Sequence, residues 1–299
     1  MEALPDGPLY APMAYLLRLP AKRVRPVGTL MACEMFGGDP MKAIDQAVGI
    51  ELFHNFTLMH DDIMDRAPLR RGQPTVHVKW DVDRAILSGD AMLVKAYEMM
   101  GSDPRILRSF NRAALEVCEG QQMDMDLEQR AEVPLKDYIE MIRLKTAVLL
   151  SNALRIGAEV AGASEADRDH LGLFGEYLGI SFQLRDDLLD AFGDPDVVGK
   201  QRGGDLLAGK KTYLLLRGLE LSAGTGRQEL QEEMLKGPGA RDIGLMLNVL
   251  ADLGVPRETE MAIDAYHKKA IGQLDAISVP EERKAPFRRL ASDLLERAR

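Results

Sequence analysis

The stretch KAIDQAVGIELFHNFTLMHD, residues 42–61, repeats apolar side chains with the 3.6-residue period of an α-helix. It runs directly into the acidic sequence DDIMD at residues 61–65. Because positions four apart share one face of a helix, Asp61 and Asp65 are predicted to point in the same direction. This stretch therefore predicts a long helix that carries a carboxylate cluster near its end.

The rest of the chain repeats the same helical pattern. Residues 138–158 form a second clear example, and no succession of alternating β-branched segments is found. Gly and Pro separate the helical segments, but no break is long enough to be a linker between domains. We predict an all-α protein in which residues 1–299 form a single domain, a bundle of helices.

A second acidic sequence, DDLLD at residues 186–190, lies in similarly apolar surroundings. One such cluster is often only a solvated helix end, but two copies with the same spacing favour bound cations. Carboxylate oxygens without nearby Cys favour Mg²⁺, which commonly shares its ligand shell with substrate phosphates. The predicted magnesium ligands are Asp61, Asp62, Asp65, Asp186, Asp187 and Asp190.

Composition limits the class of partner. The formal net charge of −9 argues against nucleic acid, which basic surfaces bind. The chain has only Cys33 and Cys118, without a CxxC pair or an apolar signal segment, so a cytoplasmic location is expected. The chain contains no uninterrupted apolar run of about 20 residues, so no membrane span is predicted.

Basic and polar residues near the acidic motifs are candidates for binding phosphate. They are Lys22, Arg25, His54, Arg70, Arg71, Lys145, Thr146, Gln183, Lys200 and Lys210. Arg side chains match phosphate oxygens well, but an isolated Arg pair is more often solvated surface. A lone His or Gln on such a helix is as often a hydrogen-bonded core residue. The glycine-rich stretch 192–212 is predicted to be a loop that folds over a phosphate, although it lacks the P-loop pattern.

Taken in order, these residues resemble the trans-isoprenyl diphosphate synthases. The resemblance covers residues 10–215 and rests on both Asp motifs, the Arg70-Arg71-Gly72 sequence and the later Lys residues. It implies an all-α prenyltransferase fold, usually homodimeric, with a central cavity whose mouth holds the two motifs. The implied reaction is the Mg²⁺-dependent head-to-tail condensation of isopentenyl diphosphate with an allylic diphosphate.

The resemblance also implies individual roles. Asp61, Asp65 and Asp186 resemble direct Mg²⁺ ligands, and the other three aspartates resemble ligands that act through water. The implied contacts of the allylic diphosphate are Arg70, Lys145, Lys200 and Lys210, with Thr146 and Gln183 near the reacting carbons. The implied isopentenyl diphosphate pocket consists of Lys22, Arg25, His54 and Arg71. This chain departs from the family pattern at Pro20-Ala21, where Gly-Gly is usual, and at Arg185, where Gln is common.

The resemblance further implies that product length depends on the floor of the cavity. Phe56 and Thr57 occupy the floor positions, five and four residues before Asp61 of the first motif. A single aromatic residue there is similar to the geranylgeranyl (C20) type more than to the farnesyl (C15) type. Other helices can also close such a cavity, so C15 stays open at this point.

Three alternatives remain. A class I terpene cyclase also uses an Asp-rich helix, but its second motif typically contains Asn, Ser or Thr. An HD-type phosphohydrolase is suggested by His60-Asp61, yet it leaves the second motif unexplained. A noncatalytic partner subunit of a prenyltransferase is the third, although such subunits tend to lose members of the Asp motifs.

Overall fold

Helices form nearly all the regular structure of the computed structural model, which describes residues 5–194, 202–237 and 239–296. The helices are α1 (Ala11–Arg18), α2 (Val24–Met35), α3 (Ile44–Met64), α4 (Val76–Lys79), α5 (Val82–Met100), α6 (Pro104–Gln129), α7 (Leu135–Ile142), α8 (Val148–Val160), α9 (Glu165–Phe192), α10 (Gly204–Ala208), α11 (Tyr213–Thr225), α12 (Glu229–Leu235), α13 (Ile243–Asp252), α14 (Val255–Asp275) and α15 (Glu281–Glu296). The all-α prediction is confirmed.

The chain divides into two compact units. The first consists of Met1–Arg112 and Asn152–Ser164, and the second of Ala113–Ser151 and Glu165–Arg299. The single domain expected over residues 1–299 stays a prediction.

In the first unit, helix α3 packs along helix α5. Phe53 of α3 is fully buried, and its ring meets that of Phe110 edge to face at 5.3 Å between centroids. This arrangement suits the electrostatics of aromatic rings and adds to the stability gained from burial. The helix predicted over residues 42–61 is therefore present from Ile44, and residues 42 and 43 belong to the 3₁₀ turn at Pro40–Ala43 that precedes it.

A short β-hairpin follows α3 and was not expected from the sequence. Strand β1 (Leu69–Arg70) pairs antiparallel with β2 (Gln73–Pro74), which leaves Arg71 and Gly72 as a two-residue turn. Both turn residues have positive φ, +53° and +74°, which is the type I′ geometry that suits hairpins. Gly adopts this conformation readily, whereas Arg does so at a cost of about 1 kcal/mol or more. Such local strain is often found at functional sites.

The second unit is organised around α9 and α14, which pack along each other. Leu184 and Leu188 of α9 and Ile263 of α14 belong to one buried apolar cluster. Tyr138 of α7 belongs to the same cluster. This core fixes the helix that carries the second Asp motif.

The helix predicted over residues 138–158 is confirmed, but it is not regular. A π-helical turn at Arg143–Ala147 separates α7 from α8, and the Val148 N–H donates to the Arg143 carbonyl, five residues earlier. The apolar periodicity continues on both sides of this turn, so the periodicity did not indicate that the helix is irregular here. Turns of this kind occur frequently at functional sites.

Two further expectations concern location. No helix within the described ranges combines the length and the apolar character needed to cross a bilayer. Both cysteines are free thiols, Cys33 buried and Cys118 exposed. The cytoplasmic location stays a prediction.

Candidate active site

The three aspartates of the first motif occupy different environments at the end of α3. Asp62 is buried, Asp61 is about one-fifth exposed, and Asp65 is exposed at the C-cap of the helix. Asp61 and Asp65 lie one turn apart, and the Asp65 N–H donates to the Asp61 carbonyl at 2.9 Å. The two accessible carboxylates are therefore the pair that the helix period predicted.

The hairpin brings Arg70 onto this motif. The Arg70 Nε donates to both carboxylate oxygens of Asp62, at 2.8 and 2.9 Å, and Nη2 lies 2.7 Å from Oδ1. Nη2 also lies 3.7 Å from Asp61 Oδ2. Burial raises the pKa of Asp62 in spite of this guanidinium. Arg70, predicted to contact a diphosphate, is thus held beside the first motif by a buried ion pair.

His54 lies on α3, as the first motif does. Basic side chains from other elements surround it. The Arg25 Nη1 lies 3.4 Å from His54 Nε2. Burial, together with the charges of Arg25, Arg71, Arg70 and Arg23, lowers the pKa of His54 well below its usual value. Burial also lowers the pKa of Arg25 to about 10, so that this group stays charged at neutral pH while His54 is neutral.

Of the four residues predicted for the isopentenyl diphosphate pocket, the structure brings Arg25, His54 and Arg71 together. Burial and the neighbouring charges of Arg23 and Arg70 lower the pKa of Arg71. The fourth residue, Lys22, is exposed just before α2, and its role stays a prediction.

Sequence reasoning missed three residues beside this cluster, Arg23, Glu51 and Asn55. Arg23 has a positive φ of +50° and forms an ion pair with Glu51, and it also donates to the Leu17 carbonyl. The Asn55 Nδ2 donates to Glu51 Oε1 at 2.8 Å from the other side. The signal was present, because Glu51 is an acidic residue between Ile50 and Leu52 in an otherwise apolar run.

The two residues predicted to set product length lie on α3 within the first unit. Phe56 is half-buried, and its ring lies 4.8 Å from that of His60 and 5.6 Å from that of Phe53. The Thr57 hydroxyl donates to the His54 carbonyl at 2.8 Å. Phe56 therefore belongs to an aromatic group, whereas Thr57 is turned toward its own helix backbone.

In the second motif, on α9, Asp187 is buried and Asp186 is exposed. Asp187 accepts hydrogen bonds from the Tyr138 hydroxyl and, at 3.0 Å, from Gln183 Nε2. Burial raises the pKa of Asp187 to about 7 although both hydrogen bonds act in the opposite direction. Asp187 thus connects the motif to Gln183, while Asp186 offers its carboxylate to solvent.

The last aspartate of this motif organises the segment that follows. Asp190 Oδ2 accepts from the Asp205 N–H at 2.9 Å, and the Lys210 N–H donates to the Asp205 carbonyl at 2.9 Å. The motif is therefore linked through Asp205 to the segment that carries Lys210. Lys200, predicted to contact the diphosphate, lies outside the described residues, as does the rest of the stretch 195–201.

Lys145 and Thr146 both lie on the π-helical turn. The Lys145 Nζ lies 2.6 Å from Asp124 Oδ2 of α6, and the Thr146 hydroxyl donates to Gln183 Oε1 at 3.3 Å. The structure thus joins Thr146, Gln183 and Asp187 in one hydrogen-bonded chain. Asp124 was missed, although it lies in the polar sequence GQQMD at residues 120–124 of α6.

The donor chemistry of both motifs fits Mg²⁺, because the accessible groups are carboxylates. Among residues 5–194, 202–237 and 239–296, no three His, Cys, Asp or Glu side chains are grouped as a metal site. Mg²⁺ commonly takes one or two carboxylates and completes its shell with water and substrate phosphates. Asp61 and Asp65 are the accessible carboxylates of the first unit that would ligate magnesium, and Asp186 is the accessible one of the second motif.

Comparisons with known proteins agree with this chemistry. The sequence model of the polyprenyl synthetase family matches residues 7–248. A geranylgeranyl diphosphate synthase of Methanosarcina mazei is 41% identical over 236 residues, 75% of this chain and 73% of the relative. A geranylfarnesyl diphosphate synthase of Aeropyrum pernix is 36% identical over 100% of this chain and 97% of its own. The crystal structure of a geranylgeranyl pyrophosphate synthase from Corynebacterium glutamicum, complexed with isoprenyl diphosphate and magnesium, has a TM-score of 0.87 and 30% identity, and the match covers 98% of this chain and 92% of that chain.

Proposed function

The chain belongs to the polyprenyl synthetase family, and we propose that it joins isopentenyl diphosphate head to tail to an allylic diphosphate. It is a trans-prenyltransferase of isoprenoid biosynthesis. Its relatives make geranylgeranyl and geranylfarnesyl diphosphate, and this agrees with a product of C20 or longer. The preference for C20 over C15 inferred from the sequence is in accord with that range.

The observation that carries this proposal is the basic group around His54. Arg25, Arg70 and Arg71 lie close enough to depress the pKa of His54, and two of them have lowered pKa values themselves. Half-buried guanidinium groups that repel each other in this way gain stability when an anion enters. A diphosphate supplies that anion, and the Asp61 and Asp65 carboxylates follow on the same helix.

In the proposed reaction the bond between the allylic carbon and its diphosphate oxygen breaks, and the electron pair leaves with the diphosphate. Magnesium, when bound, supplies charge compensation for that leaving group. We propose that Arg70, Lys145, Lys200 and Lys210 are contacts of the allylic diphosphate, the role that the family resemblance implies for each of them. Such preorganised donors stabilise charge that develops in the transition state.

The carbocation that remains is then attacked by the double bond of isopentenyl diphosphate, which forms the new carbon–carbon bond. Loss of a proton to the released diphosphate restores a double bond, so that no dedicated side-chain base is needed. We propose that Lys22, Arg25, His54 and Arg71 hold isopentenyl diphosphate. Thr146 and Gln183, linked to each other, are proposed to lie near the reacting carbons and to orient them.

One assay tests the function. The protein is incubated with Mg²⁺, labelled isopentenyl diphosphate and, separately, dimethylallyl, geranyl or farnesyl diphosphate, and the products are separated by chromatography. Incorporation of label into a longer prenyl diphosphate is expected with at least one primer. A lack of incorporation with all three rejects the function, and cyclic hydrocarbon products instead identify a terpene cyclase.

A change at Phe56 is expected to alter product length. Phe56→Ala removes the ring that contacts Phe53 and His60, and opens space beside α3 for a longer chain. We expect the product distribution to shift toward longer prenyl chains, measured by chromatography after dephosphorylation. Thr57→Ala tests the second predicted floor position, and Met41→Ala, at a residue that is 67% exposed in the turn before α3, is the control. An unchanged distribution in Phe56→Ala shows that another residue forms the floor.

We propose that the protein is a homodimer and cytoplasmic. The support within the first unit is an exposed apolar face on α5, where Ile86, Leu87 and Val94 are 41%, 60% and 58% exposed. Exposed apolar surface commonly marks an interface, and a second copy of the chain is the proposed occupant. Light scattering is expected to give twice the chain mass of 33.1 kDa. A monomer mass at micromolar concentration contradicts the dimer.

A further inference from the structure

The π-helical turn that carries Lys145 and Thr146 depends on its neighbours. A π turn inserts one extra residue into a helix, has poorer internal packing than an α turn and rarely persists without support. Here it spans Arg143–Ala147, in the middle of an otherwise continuous helical stretch. Its support must come from the helices that pack against it in the second unit.

Two glycines supply that support. A Cβ added to Gly120 of α6 would lie 2.3 Å from the Lys145 backbone nitrogen and 2.8 Å from the Leu144 carbonyl carbon. A Cβ added to Gly179 of α9 would lie 2.7 Å from both Cα and Cβ of Ala147. These contacts involve backbone atoms, so that rotation of a side chain cannot relieve them. The turn therefore fits between α6 and α9 only because both positions are glycine.

Each glycine is followed, one turn later on the same helix face, by a polar residue that binds a side chain of the turn. Asp124 comes four residues after Gly120 and pairs with the Lys145 ammonium at 2.6 Å. Gln183 comes four residues after Gly179 and accepts from the Thr146 hydroxyl at 3.3 Å. The two flanking helices thus have the same arrangement. In each, a glycine leaves room for the backbone of the π turn, and a polar side chain four residues later binds the Lys145 ammonium or the Thr146 hydroxyl.

We infer that Gly120 and Gly179 are positioning residues for the allylic substrate, acting through Lys145 and Thr146, and that Asp124 completes this role for the ammonium. The inference rests on the proposed function, in which Lys145 and Thr146 contact that substrate. A methyl group at either glycine must displace the turn, because an added Cβ would lie within 2.8 Å of its backbone. The ammonium and the hydroxyl then no longer reach the geometry that Asp124 and Gln183 define.

The test compares Gly120→Ala and Gly179→Ala with Gly218→Ala. Gly218, on α11 of the same unit, is also tightly packed, but an added Cβ meets the side-chain ends of Leu250 at 2.3 Å and Leu230 at 2.9 Å. In the two test variants we expect kcat/KM for the allylic diphosphate to fall by up to about 100-fold, the effect known for displacements near 1 Å. The KM for isopentenyl diphosphate should change much less. Gly218→Ala should lose stability without a selective loss of kcat/KM for the allylic diphosphate.

Three further tests keep the inference open to refutation if an alanine variant folds poorly. Hydrogen exchange of amides 143–148 should accelerate in the test variants and not in Gly218→Ala. Asp124→Asn, which changes a partly exposed ion pair, should fold normally and raise the KM for the allylic diphosphate. Adding Ala147→Gly to Gly179→Ala removes one of the two close contacts and should recover part of the lost activity.

The outcomes separate the inference from the function. If the unaltered protein incorporates no isopentenyl diphosphate, the proposed function fails. If it is active, and folded Gly120→Ala and Gly179→Ala retain its kinetics with the allylic substrate, the inference is overturned and the function stands. An unchanged KM in Asp124→Asn likewise overturns the part assigned to that carboxylate.

Discussion

Replacing Asp61 or Asp186 by alanine is expected to lower kcat by about 100- to 1000-fold, the range found when one preorganised electrostatic contact is lost from an active site. The Asp61 side chain is about one-fifth exposed and Asp186 is exposed, so neither is one of the buried residues that pack its long helix. Alanine favours the helix at both positions, so the fold should be retained. Circular dichroism and the midpoint of urea unfolding should stay close to those of the unaltered protein.

Asp45→Ala is the matched control for this pair. Asp45 is an exposed aspartate on the same helix as Asp61 and lies in its first turn, far from the motif. Its loss should cost only a few tenths of a kcal/mol through the helix dipole and leave kcat unchanged. A purified, folded Asp61→Ala or Asp186→Ala protein with near-normal turnover would remove the assignment of that carboxylate to magnesium.

The helices were predictable because apolar periodicity is a local property of the sequence. Residues 42–61 and 138–158 are both helical in the structure. The π turn at Arg143–Ala147 was not predictable in the same way, because its cause lies in distant glycines. Gly120 and Gly179 are ordinary helix residues when the sequence is read locally, and only packing shows that they admit the turn.

The residues of the candidate site could be predicted from the sequence, but most of the contacts between their side chains could not. The sequence contains three aspartates in each motif, but burial decides which of them faces solvent. Asp62 and Asp187 are buried, and each is held by a partner from another element, Arg70 from the hairpin and Tyr138 from α7. These pairings depend on tertiary structure, so that the sequence could not show which of the six predicted metal ligands also bind other side chains.

The second large effect is expected at Arg70. Arg70→Met leaves the carboxylate of Asp62, whose side chain is 2% exposed, without its guanidinium partner. Removing one member of a buried ion pair typically destabilises by several kcal/mol, and we expect a loss of about 3 kcal/mol because Arg70 itself is partly exposed. Urea unfolding measures this loss. Arg84→Met, which breaks the exposed pair with Asp81, should cost less than about 1 kcal/mol.

A double variant separates the structural role of Arg70 from its proposed contact with the allylic diphosphate. Asp62→Asn with Arg70→Met removes the uncompensated charge, so most of the lost stability should return. If Arg70 also binds the diphosphate, the double variant remains poorly active, with a raised KM for the allylic substrate well beyond that of Asp62→Asn alone. If activity returns together with stability, Arg70 only neutralises Asp62. The proposed contact therefore stands only if the double variant recovers its stability and keeps a raised KM for the allylic diphosphate. In that case the Arg70 guanidinium neutralises Asp62 in the substrate-free enzyme and also binds the diphosphate in the substrate complex.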